Sequence, residues 1–183
     1  MHYVEYKIRQ ALDCVVSSGD RILVAVSGGP DSVVMLNILN RLKTRSPNFS
    51  LAIAHLNHLA RGVDSDSDAE FVLNMGDELK LRTFIERIDV AALSHGSKIS
   101  FQETARNLRY DFLNRSLKEW EGDIIALGHN ADDQVESIMI NMLRGSGLLG
   151  LIGTPVKKVN FFRPLHDCFR GNIEDYAKKN NLA

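Results

Sequence analysis

The chain has 183 residues, 44% of them hydrophobic, which fits one domain with a sizeable core. Its formal net charge of −1 supplies no overall pull toward nucleic acid, so any RNA contact must come from a local patch or from a part outside these residues. Cys14 and Cys168 form no C-x-x-C pair, which speaks against a zinc knuckle or local redox motif and suits a reducing cytoplasm, and no apolar run approaches the roughly 18 residues of a membrane span.

Val4, Ile8, Leu12 and Val15 recur at helical spacing and predict a lead-in helix that stops at Ser17-Ser18-Gly19-Asp20. The apolar run Ile22-Leu23-Val24-Ala25-Val26 predicts a buried strand over 21–26, followed by a helix over 31–43. A Pro47-containing loop then leads to a second strand, Leu51-Ala52-Ile53-Ala54-His55-Leu56, which makes a parallel βαβ unit. A helix over 67–80 and a strand over 82–88 come next, and a less regular stretch runs to Ser100. Ser100-Phe101-Gln102-Glu103 predicts a capping box that opens a helix to about Trp120. A strand over 123–128 and a helix over 131–143 follow, then a glycine-rich stretch after Gly145 and a last helix from about Asn172 to Lys179. Four strands separated by helices predict an α/β fold with a doubly wound, mostly parallel sheet, helices on both faces and ligands beyond the carboxyl ends of the strands.

Ser27-Gly28-Gly29-Pro30-Asp31-Ser32 stands at such an end, between a strand and a helix. Two glycines there expose backbone N–H groups at the positive end of the helix, where phosphate binds. A Walker loop needs a Lys before its Ser or Thr, and the dinucleotide fingerprint needs a third glycine; this stretch has neither. Asp31 repels phosphate unless a cation such as Mg²⁺ lies between them. A plain helix start also accounts for the stretch, with Pro30 at the first helical position and Asp31 and Ser32 in the first turn.

Two more polar clusters sit at strand ends. Gly128-His129-Asn130-Ala131-Asp132-Asp133-Gln134-Val135-Glu136 places three carboxylates at a helix start, where Asp132 and Asp133 are four and three residues from Glu136 and can share a face. Oxygen ligands of this kind suit Mg²⁺, although acidic residues also favour a helix N-terminus without any metal. The same helix runs on to Arg144-Gly145-Ser146-Gly147, which can meet anionic oxygens or simply cap the helix. His55-Leu56-Asn57-His58-Leu59-Ala60-Arg61 pairs two imidazoles three apart, but no third ligand lies near at zinc-site spacing, so nucleotide contact or loop structure is the better reading. Arg109 and Arg163 are either solvated or anion-binding.

The loop Ser-Gly-Gly-x-Asp-Ser resembles the pyrophosphate-binding loop of the ATP pyrophosphatases. Taken with His55-Leu56-Asn57-His58 and Arg61, Asp66 to Glu70, Glu103 to Tyr110, Gly128 to Glu136, Leu143 to Leu148 and Arg163-Pro164-Leu165, the chain resembles the N-terminal catalytic domain of the tRNA(Ile)-lysidine synthetases over residues 21 to about 182. Leu59-Ala60 departs from the Gly-Leu usual in that family. The resemblance implies a single PP-loop domain over 1–183 with an adenine nucleotide alpha hydrolase-like fold, lacking the family's C-terminal tRNA-binding domains. It implies a ligase that uses ATP and Mg²⁺ to adenylate the C2 oxygen of the wobble cytidine in a tRNA(Ile) with a CAU anticodon. Free lysine then displaces AMP. Ser27, Gly28, Gly29 and Ser32 are expected on pyrophosphate, Asp31 and Asp133 on Mg²⁺, and His55, Asn57 and His58 near the nucleotide. Gly128, Arg144, Gly145 and Ser146 are also expected at the nucleotide. Asp132 and Glu136 are expected to position the lysine amine or the waters around the metal, and Arg109, Arg144 and Arg163 to hold phosphate or carboxylate. A thiolation-type PP-loop enzyme and a non-catalytic ATP- or AMP-binding module are the alternatives. A cytoplasmic location is expected, and the sequence leaves the oligomeric state open.

Overall fold

A computed structural model describes residues 1–45, 47–57, 63–90, 93, 100–147 and 153–182, with the backbone alone for 63–66. In chain order the elements are α1 (Tyr3–Val15), β1 (Arg21–Ala25), α2 (Pro30–Leu42), β2 (Ser50–Asn57), α3 (Val63–Leu79), β3 (Arg82–Arg87), α4 (Phe101–Glu119), β4 (Ile124–Ala126), α5 (Ala131–Leu143), β5 (Lys157–Lys158), β6 (Phe161–Phe162) and α6 (Arg170–Lys179). The helices and longer strands fall where the apolar periodicity places them. Two short strands do not: β5 and β6 are two residues each, too short to carry a periodic signal, and they extend the expected four strands to six.

The sheet order is β3-β2-β1-β4-β6-β5, parallel throughout except for the β5–β6 pair. Ile22 lies beside Leu51 on one side and Ile124 on the other. Alternation along the strands divides the core into two layers. Ile22, Val24, Leu51, Ile53, Ile124 and Ala126 pack with α1, α2, α3 and α6, whereas Leu23, Ala52, Ala54 and Ile125 pack with Phe112, Leu113 and Leu117 of α4. Helices therefore cover both faces, as parallel strands buried on both sides require.

The chain steps outward from β1 to β2 and β3, then returns to place β4 on the other side of β1. That reversal leaves a crevice between the loops that follow β1 and β4, the position at which open α/β sheets take ligands. Local caps fix the helices that border it. Ser100 Oγ accepts from Glu103 N at 3.2 Å, which realises the Ser half of the predicted box. A full capping box that the sequence reading did not identify opens α5: Asn130 Oδ1 accepts from Asp133 N at 3.0 Å, and Asp133 Oδ2 accepts from Asn130 N at 2.9 Å. No residue of α5 is fully buried, and its Val135, Met139, Met142 and Leu143 are exposed. Among the described residues no helix is long and apolar enough to cross a membrane.

Candidate functional site

Between β1 and α2 the backbone must turn sharply, and Gly28 makes the turn with φ +90°. That conformation is strained for any residue with a Cβ. Hydroxyls then lock the loop. Ser32 Oγ donates to Gly29 O at 2.8 Å and accepts from Ser27 N at 3.1 Å, so Ser27 Oγ, 3.2 Å away, is the donor of that hydroxyl pair. Gly29 N donates in turn to Ser27 Oγ at 3.3 Å. Pro30 occupies the first helical position, where its missing N–H costs nothing. The amides of the next residues have no partner inside the helix and carry its positive dipole end, so the turn is a helix start whose geometry suits an anion. Gly128, at the end of β4, closes the other side of the crevice: a Cβ there would meet Ser32 N and Cα at 3.5 Å.

Asp31 stands in the first turn of α2, and its two oxygens differ. Oδ2 accepts from Asn130 Nδ2 at 2.9 Å and lies 3.8 Å from the Arg170 guanidinium. Oδ1 is buried with no partner among the described residues. Burial raises the carboxyl above its ordinary value, Arg170 and Asn130 work against that rise, and Asp133 and Glu174 add to it. A buried acceptor oxygen amid further carboxylates suits a cation. Among the described residues no three His, Cys, Asp or Glu side chains gather closely enough to hold an ion alone. The donor set fits a hard cation such as Mg²⁺, which commonly takes one or two protein carboxylates.

Arg170 reaches Asp31 through contacts distant in sequence. Ala131 N donates to Cys168 O at 2.9 Å, and Arg170 N donates to Asp132 Oδ2 at 2.7 Å. Phe169, the N-cap of α6, gives no side-chain bond, so the Asp132 carboxylate caps α6 from another helix. The start of α6 is thereby fastened to the start of α5.

The crevice opens into a cavity of about 830 Å³. Ser27 to Ser32, Gly128, Arg170 and Glu174 line it, as do His55 and Asn57 at the end of β2, Asp68 from α3, and Arg106, Arg109 and Tyr110 from α4. Cations gather around His129: burial lowers its pKa, Arg163, Arg106 and Arg109 lower it further, and Asp133 opposes them. Arg163 is 5% exposed, donates from Nη1 to Pro155 O at 3.0 Å and leaves its Nε without a partner among the described residues. Arg106 donates to Tyr110 Oη at 3.4 Å. Burial lowers the pKa of both Arg109 and Arg163, yet guanidinium stays charged near neutrality. Arg106 and Arg109 give the cavity wall positive charge, suited to anions of phosphate or carboxylate type, whereas Arg163 is not among the residues that line it.

Of the residues singled out in the sequence, Ser27, Gly28, Gly29, Asp31, Ser32, His55, Asn57, Arg109 and Gly128 come together on this cavity wall. Asp132, Asp133 and Glu136 lie on the first turns of α5 outside the wall, with one oxygen each of Asp132 and Asp133 engaged in capping. Arg144, Gly145 and Ser146 are exposed beyond the far end of α5, about 20 Å of helix from Asn130. There Ser146 N donates to Asn141 O and Gly145 N to Met142 O, a Schellman stop with Gly145 at φ +70°. His58 and Arg61 fall outside the described residues, as does Leu148. The sequence reading gave no role to Asp68, Arg106, Tyr110, His129, Arg170 or Glu174, all of which line the cavity. Arg170 and Glu174 are four apart on α6 and share a face, a local signal that acquires meaning only once α6 is docked.

The model of a family described as the PP-loop domain matches residues 1–183. The chain is 39% identical over 169 residues to the tRNA(Ile)-lysidine synthase of Clostridium acetobutylicum, covering 92% of this chain and 36% of that protein. It is 45% identical over 139 residues to that of Dehalococcoides mccartyi, covering 76% of this chain and 29% of the other. The chain thus spans about a third of the length of the curated relatives it matches. Its fold is similar to that of a U34-tRNA thiolase from Methanococcus maripaludis, with TM-score 0.80, 24% identity and coverage of 98% of this chain and 62% of the other. An NH3-dependent NAD synthetase from Campylobacter jejuni shares the fold at TM-score 0.62 and 18% identity, over 98% of this chain and 71% of the other. The glycine turn, the acidic residue behind it and the sheet that carries them agree with the family match along the chain, and the chain belongs to the PP-loop domain family.

Proposed function

We propose that this chain is the adenylating portion of a lysidine-forming, tRNA-modifying ligase of the cytoplasm. The observation that carries the reading is one cavity lined by the Ser27–Ser32 turn, with the partnerless oxygen of Asp31, and by Arg106, Arg109 and His129. Such a cavity can hold a nucleoside triphosphate and a second, separately charged substrate. The similarity to tRNA(Ile)-lysidine synthases supports reading them as ATP and free lysine.

In the proposed reaction the C2 oxygen of the wobble cytidine in a tRNA(Ile) with a CAU anticodon attacks the α-phosphorus of ATP. The bond from that phosphorus to the β-bridging oxygen breaks, and pyrophosphate leaves. The amine of free lysine then attacks C2, and the C2–O bond breaks to release AMP. Ser27, Gly28, Gly29 and Ser32 hold the pyrophosphate end through backbone amides and hydroxyls, aimed where charge accumulates as it departs. Asp31 and Asp133 are the residues that hold Mg²⁺, which when bound neutralises phosphate charge. Gly128 keeps the loop after β4 close to the cradle, and His55 and Asn57 border the adenosine. Arg109 and Arg163, with Arg106, offer a carboxylate or phosphate its counter-charge. Asp132 keeps α6 in place beside the site, and with Glu136 it positions the lysine amine or the waters around it. Arg144, Gly145 and Ser146, one helix length away, are left to the polynucleotide.

The thiolation alternative finds no support in the cysteines, since Cys14 is exposed on α1 and Cys168 is buried far from it in sequence. The deciding experiment incubates the chain with ATP, Mg²⁺, labelled lysine and the CAU-anticodon tRNA. Lysine incorporation with pyrophosphate release is expected, and Asp31→Asn is expected to abolish the release. Tight ATP binding with no turnover under any condition favours the binding module, and full activity of Asp31→Asn overturns the metal assignment.

A further inference from the structure

His55 has one ring nitrogen engaged and one without a partner. Nδ1 lies 2.8 Å from Val26 O, and because a carbonyl only accepts, Nδ1 carries the hydrogen. Burial lowers the ring's pKa, with the Val26 bond and Asp68 acting in the other direction, so near neutral pH the ring holds that single proton. Nε2 is then a bare acceptor. It is buried with no hydrogen-bond partner among the described residues, in a residue 3% exposed that lines the cavity. A polar atom sealed from water in this way carries a penalty that only a donor removes. Asp68, whose charge acts on the ring, accepts hydrogen bonds when ionised and cannot supply one.

We propose that His55 Nε2 accepts a hydrogen bond from the nucleoside part of the bound nucleotide and so selects which nucleoside the cavity takes. The inference rests on the ATP reading above. Ionised phosphate and carboxylate offer acceptors alone, so the anionic end of a ligand cannot satisfy Nε2. A nucleoside brings two kinds of neutral donor, the exocyclic amine of adenine and the ribose hydroxyls. The ring cannot turn over to present an N–H without giving up its bond to Val26, so a ligand that places only an acceptor there is disfavoured.

Calorimetric titration of the chain, with Mg²⁺, against ATP, inosine triphosphate, purine riboside triphosphate, 2′-deoxy-ATP and 3′-deoxy-ATP tests this. At least one analogue is expected to bind about tenfold or more weakly than ATP. A deficit with the inosine and purine analogues identifies the amine as the donor; a deficit with either deoxy compound identifies a hydroxyl. The same discrimination is expected to vanish in His55→Phe and to survive in part in His55→Asn, whose amide oxygen restores an acceptor. Inorganic pyrophosphate, which has no donor to offer, is expected to bind all three proteins within about twofold, which also shows that the variants are folded. Equal binding of ATP and every analogue overturns the proposal, as does discrimination that persists unchanged in His55→Phe. Binding of pyrophosphate but of no nucleotide overturns the nucleoside reading beneath it as well.

Discussion

Replacing Gly28 with Ala tests whether the cradle depends on a backbone that side chains avoid. The residue has φ +90°, and a Cβ built on it lies 3.1, 3.2 and 3.3 Å from Oδ1, Cγ and Cβ of Asp68. The left-handed backbone costs an L-residue about 1–2 kcal/mol. The contact adds a smaller amount, since all three atoms belong to one movable side chain and a rotation off its preferred angle costs on the order of 0.5–1 kcal/mol. Together these amount to about 2 kcal/mol, which for a domain of this size lowers the melting temperature by about 4–8 °C. Calorimetry or thermal circular dichroism on Gly28→Ala, Asp68→Ala and the double variant separates the two contributions. The double variant is expected to recover the contact share and retain the backbone share. A Gly28→Ala protein that melts within about 1 °C of the parent refutes the argument. Full recovery in the double variant shows that crowding by Asp68, not the turn, was the constraint.

Asp132→Ala removes the acceptor for Arg170 N and is expected to cost about 1 kcal/mol, with faster amide exchange confined to the first turn of α6; unchanged exchange there removes the capping role. Cys14 is exposed, whereas Cys168 is fully buried and its thiol is pushed up to about 11, chiefly by burial. A thiol reagent at pH 8 is therefore expected to modify Cys14 rapidly and Cys168 only after unfolding; equal rates contradict the packing. His55 and His129 both have pKa values lowered from 6.5 in the folded state, mainly by burial, so below that pH the unfolded chain binds more protons than the folded one. Their contribution to stability is complete above pH 6.5 and declines as pH falls toward the folded values, so the urea midpoint is expected to be lower at pH 5.5 than at 7.5. A midpoint that is flat or rises over that interval refutes the assignment.

Features that depend on a few neighbouring residues were legible without coordinates. The apolar run before Ser27 makes β1, Gly28 and Gly29 permit the turn, Pro30 starts α2, and these together make a strand-to-helix turn of the kind that suits phosphate. The same local rules placed the helices of residues 3–15, 101–119 and 131–143. The three polar clusters, by contrast, met only in part. His55, Asn57 and Gly128 reach the cavity because β2 and β4 flank β1, whereas Arg144 does not, because a straight helix carries it away from the crevice that Asn130 borders. Asp132 read equally well as a ligand and as a helix-start acid; its partner, the amide of Arg170, lies on another helix, and no spacing along the chain announces it.

Sequence alone determined the alternating α/β order and the glycine turn between β1 and α2, because backbone propensity, apolar period and glycine turns act over a few residues. Only the tertiary structure decided the six-strand order, the docking of α6 against α5, and the admission of Asp68, Arg106, His129, Arg170 and Glu174 to the cavity. It also decided which oxygen of Asp31 and which nitrogen of His55 remain unpaired. Burial and hydrogen-bond partnership are properties of residues brought together from distant parts of the chain, and they exist only once the sheet has closed the distance between them.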